Sequence, residues 1–403
     1  MKSIYVAAMA AMVTVALPSA AQNAPPEIKM PRSAWTHEAS GLVFPQKLAG
    51  LKRLNAYDYS NGQANIGIRY DGDAGDFVTF YVYRVQAGSL PLWFHAAESS
   101  AVDAKEGLVQ PVVAATPFPP TDRTPSGGLY SIHRVLTNDS NSGIMMIRSG
   151  MWLVKLRYTS ASKTPEQLSA AMYGLMSEID ASSPDGDNAG VFATPAPVAT
   201  CQNDFGDGEP ALPLPPNMAL AMMDAMMSGI GIEDALDKKD TAEESVVVRT
   251  LSDATRSEGD WCRLANLRNG YQIYLNGDRT DNYLLRLDDA GRAMTVGPSA
   301  GGLNILLPED KEAGQTSSPR YTVRMTMSER VVGFDDYDRA PGPDQAIEIV
   351  NTTSPLYEKG FSAIGDTNVQ IFSDRFPEDS DGGDAETGEE TTSPLDTAPA
   401  TPL

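Results

Sequence analysis

Residues 77–85 constrain the fold more than any other segment, because β-forming side chains alternate on both faces of this run. Valine and aromatic residues dominate it, which is typical of a strand. Asn61-Gly62 and Asp71-Gly72 precede it and supply the positive φ angles that tight hairpins need. Strands joined by tight hairpins are antiparallel. The pattern therefore predicts an antiparallel sheet, with strands at 48–59, 64–70, 77–85, 129–136, 143–148 and 151–159.

Two helices are predicted within the same region. One covers residues 91–106. The second has a clear start, because Thr164 can cap it, Pro165 suits the first helical position and Gln167 completes a capping box. Four apolar residues then recur at helical spacing and form one stripe that should face the sheet: Leu168, Met172, Leu175 and Ile179.

The order of these elements over residues 35–181 resembles the PsbP-like sandwich: three strands, a helix, three strands and a helix. The resemblance covers about a third of the chain. It implies an antiparallel sheet with helices packed on it. Members of the PsbP-like group often act as accessory or assembly factors, so it also implies that kind of role. The stretches that carry it, which also look like exported bacterial proteins of unassigned activity, are 41–45 (GLVFP), 50–53 (GLKR), 81–83 (YVY) and 152–157 (WLVKLR).

The second half of the chain is predicted to form another domain. Residues 182–216 are rich in Pro, Gly, Ala and Asp and are predicted to be a linker. The domain at 217–373 opens with a methionine-rich helix at 217–228, and the acidic tail at 374–403 has too few apolar residues to fold. The predicted class is α+β: an antiparallel sheet with packed helices, then a mainly β domain with an N-terminal helix. Its strands are predicted at 245–251, 261–267, 271–275, 282–287, 293–296, 303–307, 320–327 and 345–350.

Residues 1–21 have the pattern of a secretory signal peptide. Lys2 gives a positive start, residues 4–17 are apolar, and small residues at 19–21 precede an expected cleavage site near Gln22. The apolar run is shorter than the ~20 residues that span a bilayer. The sequence therefore predicts a periplasmic or secreted protein with no membrane span after cleavage.

The charge of the chain narrows the class of partner. Asp and Glu number 53 against 31 Lys and Arg, which gives a net charge of −22. Such a chain repels nucleic acid and anionic membrane surfaces, whose recognition needs basic patches. The expected partner is an envelope protein or a small ligand. No cofactor is predicted, because the sequence has neither a P-loop nor a dinucleotide-binding fingerprint.

The chain contains two cysteines, Cys201 and Cys262. In an oxidising compartment a single pair usually forms a disulfide. Their spacing fits neither a CxxC redox motif nor a zinc cluster. The sequence therefore predicts a Cys201–Cys262 disulfide, which would stabilise the fold by roughly 4 kcal/mol on the chain-entropy model.

One motif raises the question of catalysis. Residues 297–301 (GPSAG) match G-x-S-x-G, which in serine hydrolases places the nucleophile between a strand and a helix, with the acid and the histidine following. Here all three histidines precede Ser299, and the residues after it lack a helical pattern. A glycine-rich hairpin loop is the other interpretation. We therefore predict no catalytic residue and keep Ser299 as the candidate nucleophile of an alternative function.

Acidic residues of the tail are candidate ligands for a divalent cation. Asp379, Asp381 and Glu390 fall at positions 1, 3 and 12 of an EF-hand register. However, Asp384 replaces the required glycine and no helices flank the loop, so we expect weak binding at most. Two similar clusters lie in predicted turns, Asp71/Asp73/Asp76 and Asp204/Asp207/Glu209.

The helix at 217–228 carries an unusual number of methionines. Methionine-rich segments of exported proteins can bind Cu(I) through their soft thioethers. Their spacing also fits the buried stripe of an amphipathic helix, and core packing is the interpretation that the sequence favours. The residues are Met218, Met222, Met223, Met226 and Met227.

Together these observations favour an exported, non-catalytic binding or accessory protein of the bacterial envelope. The alternatives are a serine hydrolase that uses Ser299 and a protein that binds divalent cations weakly.

Overall fold

The computed structural model describes residues 24–60, 62–72, 75–103, 108–121, 127–179, 195–206, 208–228, 260–268, 270–299, 319–361 and 367–376. Within these ranges the fold is mixed α+β, mostly β, with antiparallel sheets. Several predictions lie outside the described residues: the signal peptide, the strands at 245–251 and 303–307, and the tail beyond residue 376.

The first sheet has eight strands in the order β3-β4-β5-β6-β10-β9-β8-β7, and a separate two-stranded sheet pairs β1 with β2. All neighbouring pairs in the eight-stranded sheet are antiparallel. The six strands predicted for this region are confirmed. The strands are β1 (Trp35–Thr36), β2 (Val43–Phe44), β3 (Lys47–Leu48), β4 (Leu51–Asp58), β5 (Asn65–Asp71), β6 (Phe77–Arg84), β7 (Val109–Phe118), β8 (Gly128–Val135), β9 (Ser140–Ser149) and β10 (Trp152–Ser160).

Strand β7 was missing from the sequence prediction. It contains Pro111 and Pro117, and proline argues against a strand because it has no N–H to donate. β7 lies at the edge of the sheet, and its pairing with β8 shifts register twice. Proline is tolerated there because one side of an edge strand needs no hydrogen-bonded partner.

Helices α1 (Leu90–Asp103) and α2 (Pro165–Glu178) confirm the two helices predicted for this region. The capping box of α2 is present, with Thr164 and Gln167 bonded reciprocally. The predicted apolar stripe of α2 is buried in one core with residues of the eight-stranded sheet. Local sequence signals therefore place this helix correctly.

The second sheet has nine strands that follow chain order, β11 to β19. Only the β11–β12 pair among them is parallel. Helix α3 (Met218–Met227) confirms the predicted N-terminal helix. The strands are β11 (Ala199–Thr200), β12 (Trp261–Arg263), β13 (Ile273–Asn276), β14 (Arg279–Arg286), β15 (Ala293–Pro298), β16 (Tyr321–Thr326), β17 (Arg330–Tyr337), β18 (Tyr357–Phe361) and β19 (Thr367–Ile371).

The strand predicted at 345–350 is wrong, because this segment belongs to helix α4 (Pro343–Thr352). Pro343 occupies the first turn and Asp344 adds an acidic residue there, both of which favour a helix start. Ala346 and Ile349, three residues apart, are buried against the second sheet. The β-branched residues of the segment suggested a strand, but tertiary packing prevails over that propensity.

The two sheets share a hydrophobic core around α1. This cluster joins Tyr83 and Trp93 of the first half to Tyr274 and Leu284 of the second. Polar contacts cross the same boundary, since Lys155 Nζ lies 2.8 Å from Asp289 Oδ2. Side-chain packing and polar contacts therefore hold the second sheet to the first, in addition to the covalent connection between them.

The predicted disulfide is present between Cys201 and Cys262, which are 61 residues apart in sequence. It lies beside β11, which pairs with β12. The middle of the predicted linker thus contributes a strand to the second sheet. Likewise Arg375, within the predicted tail, pairs with Asp335 of β17 at 2.7 Å.

Candidate functional site: a cleft beside helix α3

A cleft lies between α3 and strands β16 to β18 of the second sheet. It encloses about 290 Å³ when the open solvent at its mouth is included. Its walls combine apolar and polar side chains, among them Pro215, Leu220, Thr322, Phe334, Asp336 and Tyr357. Two carboxylates, those of Asp224 and Asp336, belong to the lining.

Helix α3 closes one side of the cleft, and small residues let it approach the sheet. Asn217 caps the helix, because its side-chain oxygen accepts a hydrogen bond from the N–H of Leu220 at 3.1 Å. Ala221 and Ala225 are buried in a cluster with Val331 and Tyr357. Alanines one turn apart on one face bring the helix backbone close to the strands.

Asp224 fastens α3 to the sheet. Arg324 Nε donates to Asp224 Oδ2 at 2.9 Å, and Arg324 Nη2 bonds the other carboxylate oxygen. The Tyr357 hydroxyl donates to Asp224 Oδ2 at 2.6 Å. Burial, followed by the Asp224 charge, raises the pKa of Tyr357 well above its ordinary value, so the phenol stays a donor. The Asp224 charge is therefore compensated on both oxygens.

A glycine makes room for this arrangement. Arg324, Gly333 and Tyr357 lie side by side on three neighbouring strands. A Cβ at Gly333 would lie 2.1 Å from the Tyr357 ring. The ring therefore lies over Gly333, where its hydroxyl reaches Asp224.

Asp336 is the second carboxylate of the cleft, and its environment differs. Its side chain is 17% exposed, and the nearest cation, Arg320 Nη1, is 3.5 Å from Oδ2. Burial and the nearby charge of Asp224 raise the pKa of Asp336 to about 6, although Arg320, Arg324 and the Ser299 hydroxyl pull it down. Near neutral pH Asp336 thus presents a weakly compensated negative charge to the cleft.

Ser299, the candidate nucleophile, lies directly after β15 and is 1% exposed. Its N–H donates to Arg320 O at 2.9 Å. Its hydroxyl lies close enough to lower the pKa of Asp336, but it makes no hydrogen bond of good geometry within the described residues. The structure thus brings Ser299 to a carboxylate.

The three histidines are bonded elsewhere. His37 contacts Ser40 Oγ at 2.7 Å and the Gln63 carbonyl at 2.9 Å. His95 Nδ1 lies 2.8 Å from the Tyr274 hydroxyl. The ring contacts of His133 are with Ser131 and Glu98, so none of these contacts joins a histidine to Ser299.

Sequence reasoning missed the Ser131–His133–Glu98 grouping. Ser131 Oγ is 3.2 Å and Glu98 Oε1 is 3.4 Å from the same ring nitrogen, Nε2 of His133. A catalytic triad needs the serine and the acid on opposite ring nitrogens. The grouping therefore has the residue types of a triad but a different geometry. The serine and histidine two residues apart on β8 were the available sequence signal.

Each described member of the acidic turn clusters forms a salt bridge with an arginine or lysine side chain. Asp71 pairs with Arg69 at 2.7 Å, and Asp76 pairs with Lys163. Asp204 pairs with Arg268 and Glu209 with Arg339. Asp73, Asp207 and the tail candidates Asp379, Asp381 and Glu390 lie outside the described residues.

One further cluster has the residue types of a metal site: Cys201, Cys262 and Asp278. The two sulfurs are bonded to each other. Asp278 Oδ1 accepts the backbone N–H groups of Gln202 and Asn203 at 3.1 and 3.0 Å. The carboxylate therefore holds the loop that follows Cys201.

The prediction that the α3 methionines pack in the core is wrong for three of them. Met218, Met222 and Met226 are 44%, 42% and 55% exposed. Ala221, Asp224 and Ala225 occupy the buried face instead. The cause is the Asp224 contact, which fixes the rotation of the helix so that the methionine stripe faces outward.

No protein-family model matches the chain, and comparison with curated proteins finds no matching relative. Within the described ranges, no helix combines the length and apolar character needed to cross a bilayer.

Proposed function

We propose that this chain is an exported, non-catalytic binding or accessory protein whose cleft receives a cationic side chain of a partner protein. The observation that carries the proposal is the position of Asp336, a partly exposed carboxylate in an otherwise small, mixed cleft. A lysine or arginine side chain would give this carboxylate the close partner that Arg320, at 3.5 Å, does not.

The size of the cleft favours a side chain over a whole substrate molecule. Pockets for small molecules enclose about 300–1,000 Å³ and bury most of the ligand. This cleft is much smaller, because its volume of about 290 Å³ includes the open solvent at the mouth and its enclosed part has room for about one water molecule. A cationic group presented by a partner's own fold would therefore meet Asp336 at the mouth of the cleft, with its methylene stem against the apolar part of the rim.

Three features support the proposed compartment and the proposed charge of the partner. Residues 1–21 have the pattern of a signal peptide, the Cys201–Cys262 disulfide is compatible with an oxidising compartment, and the excess of acidic residues suits a cationic partner. The resemblance to the PsbP-like sandwich supports an accessory role. A binding role at the cleft agrees with each of these.

The serine hydrolase alternative is carried by the contact between Ser299 and Asp336. A carboxyl with a pKa of about 6 could accept a proton from the serine hydroxyl at neutral pH. The 1% exposure of Ser299 argues against attack on a substrate. A Ser299→Ala variant that keeps every activity found in an esterase screen would end this alternative.

The binding proposal is tested with minimal ligands. N-acetyl-lysine amide and N-acetyl-arginine amide are titrated into the full protein and followed by NMR, with N-acetyl-norleucine amide as the uncharged control. We expect the cationic ligands to shift the amide resonances of residues 217–224 and 333–337. Asp336→Asn should weaken binding by roughly tenfold or more, since it removes a hydrogen bond between charged groups.

Asp139→Asn is the matched control, because it also removes one negative charge but lies on an exposed turn of the first half, 83% exposed. This variant should bind like the wild type. Equal shifts with the norleucine ligand, or equal binding by Asp336→Asn, would contradict the proposal.

A further inference from the structure

We propose that the outer face of α3 is a binding site for a soft monovalent metal ion, Cu(I), formed by the thioethers of Met218, Met222 and Met226. The proposal is independent of the cleft ligand. It rests on the rotation of α3, which points these three side chains away from the sheet.

The spacing places the three thioethers on one stripe. Residues four apart lie one turn apart on the same face of a helix, about 6 Å from each other. Methionine side chains are unbranched, with three rotatable bonds. Met222 lies one turn from each of the other two, so its sulfur can share an ion with the sulfur of Met218 or of Met226, whereas Met218 and Met226 are themselves about 12 Å apart along the helix.

Packing does not explain the choice of methionine at these positions. The buried face of α3 is made by Ala221, Asp224 and Ala225. The exposed positions would tolerate lysine, glutamate or glutamine, which form helices equally well and prefer water. Ten residues of α3 nevertheless contain five methionines. In an exported protein, exposed methionines also risk oxidation to the sulfoxide.

The chemistry of the ligand set selects the metal. Thioether sulfur is a soft, uncharged ligand that prefers Cu(I) over hard cations such as Mg²⁺ or Ca²⁺. Asp224, the one carboxylate within the helix, faces the sheet and is held by Arg324 and Tyr357. The ion would therefore sit among sulfurs at the surface of a chain with net charge −22, which attracts cations.

An apolar stripe of methionines could instead dock a partner protein. Replacing methionine with leucine separates these possibilities, because leucine keeps the apolar surface and the helix propensity but removes the sulfur. The test variant is Met218→Leu/Met222→Leu/Met226→Leu. The control variant, Met145→Leu/Met146→Leu/Met172→Leu, removes the same number of thioethers from the buried core.

The experiment titrates Cu(I), kept reduced under anaerobic conditions, into each protein in competition with the chromophoric chelator bicinchoninate. We expect the wild type and the core control to withdraw one equivalent of Cu(I) and the α3 variant to withdraw none. Retention of the ion by the α3 variant, or no competition by the wild type, would overturn the proposal.

A second measurement needs no variant and so does not depend on how well the core control folds. Ag(I), a redox-inert analogue of Cu(I), is added to wild-type protein labelled with methyl-¹³C methionine. The methyl resonances of Met218, Met222 and Met226 should shift together at one equivalent. Shifts confined to other methionines, or none, would contradict the site.

Discussion

Helices α2 and α3 both pack on a sheet, but the faces they bury differ in chemistry. α2 buries Leu168, Met172 and Leu175 and closes one side of the first core. α3 buries two alanines and Asp224, and it turns Met218, Met222 and Met226 to solvent. An apolar stripe seals α2 to its sheet, whereas an ion pair positions α3 and leaves a cleft beside it. We therefore propose that α2 serves stability and that the surroundings of α3 serve binding.

The largest effect expected from this comparison follows from Asp224→Ala. The change leaves Arg324 and Tyr357 buried without their acceptor, which should lower the free energy of unfolding by about 3–5 kcal/mol. Urea denaturation measures it. The exposed pair Asp139–Arg134 provides the contrast, since Asp139→Ala should cost less than about 1 kcal/mol. Equal losses in both variants would show that Asp224 does not fasten the helix.

Leu168→Ala tests the other helix. Leu168 is fully buried in the first core, and truncation to alanine should lower the free energy of unfolding by about 2–5 kcal/mol through lost contacts and a cavity. Binding of N-acetyl-lysine amide to the folded variant should not change, because α2 does not touch the cleft. A large loss of affinity in this variant would break the assignment of α2 to stability alone.

The same comparison explains what the sequence could predict. α2 is recognisable because its cap, its first proline and its apolar stripe lie within 16 residues of chain, 164–179. Six strands of the first sheet are likewise recognisable by alternation and turn residues, whereas the proline-containing β7 is not. Such signals are local, so one sequence contains them.

The cleft could not be predicted in this way. Asp224 and its partner Arg324 are 100 residues apart, and Tyr357 is 133 residues from Asp224. None of these residues stands in a motif. The methionines of α3 also misled, because apolar character normally marks the buried face, and only the distant arginine fixes the opposite rotation. The alanines at 221 and 225, one turn apart beside Asp224, were the only local sign of that face.

We expect the charged Asp336 side chain to lower the free energy of unfolding at neutral pH. Its pKa in the folded protein, about 6, lies above the ordinary aspartate value, so folding favours the protonated form. Its destabilising effect is therefore complete above pH 6 and disappears as the pH falls towards 4. Asp336→Asn should raise the free energy of unfolding by about 1–3 kcal/mol at pH 7.

Denaturation of the wild type and Asp336→Asn at pH 4, 5, 6 and 7 checks this expectation. The difference between the two proteins should shrink steadily below pH 6. A variant that is less stable than the wild type at pH 7 would mean that Asp336 serves the fold and not the cleft.

The smallest effects are expected from the two helix caps. Thr164→Ala in α2 and Asn217→Ala in α3 each remove one side-chain acceptor at a helix start and should cost about 1 kcal/mol. Only Asn217→Ala should also weaken binding of N-acetyl-lysine amide, because Asn217 lines the cleft. Similar affinities in the two variants would remove the functional distinction between the helices.

The most direct measurement is the titration of the Asp336 carboxyl carbon by ¹³C NMR, with and without N-acetyl-lysine amide. The account predicts a midpoint near pH 6 in the free protein, because burial and Asp224 disfavour the charge. It predicts a lower midpoint with the ligand bound, since a cation beside the carboxylate stabilises its charged form. A midpoint near pH 4 in the free protein, or one that the ligand does not move, would contradict the central claim.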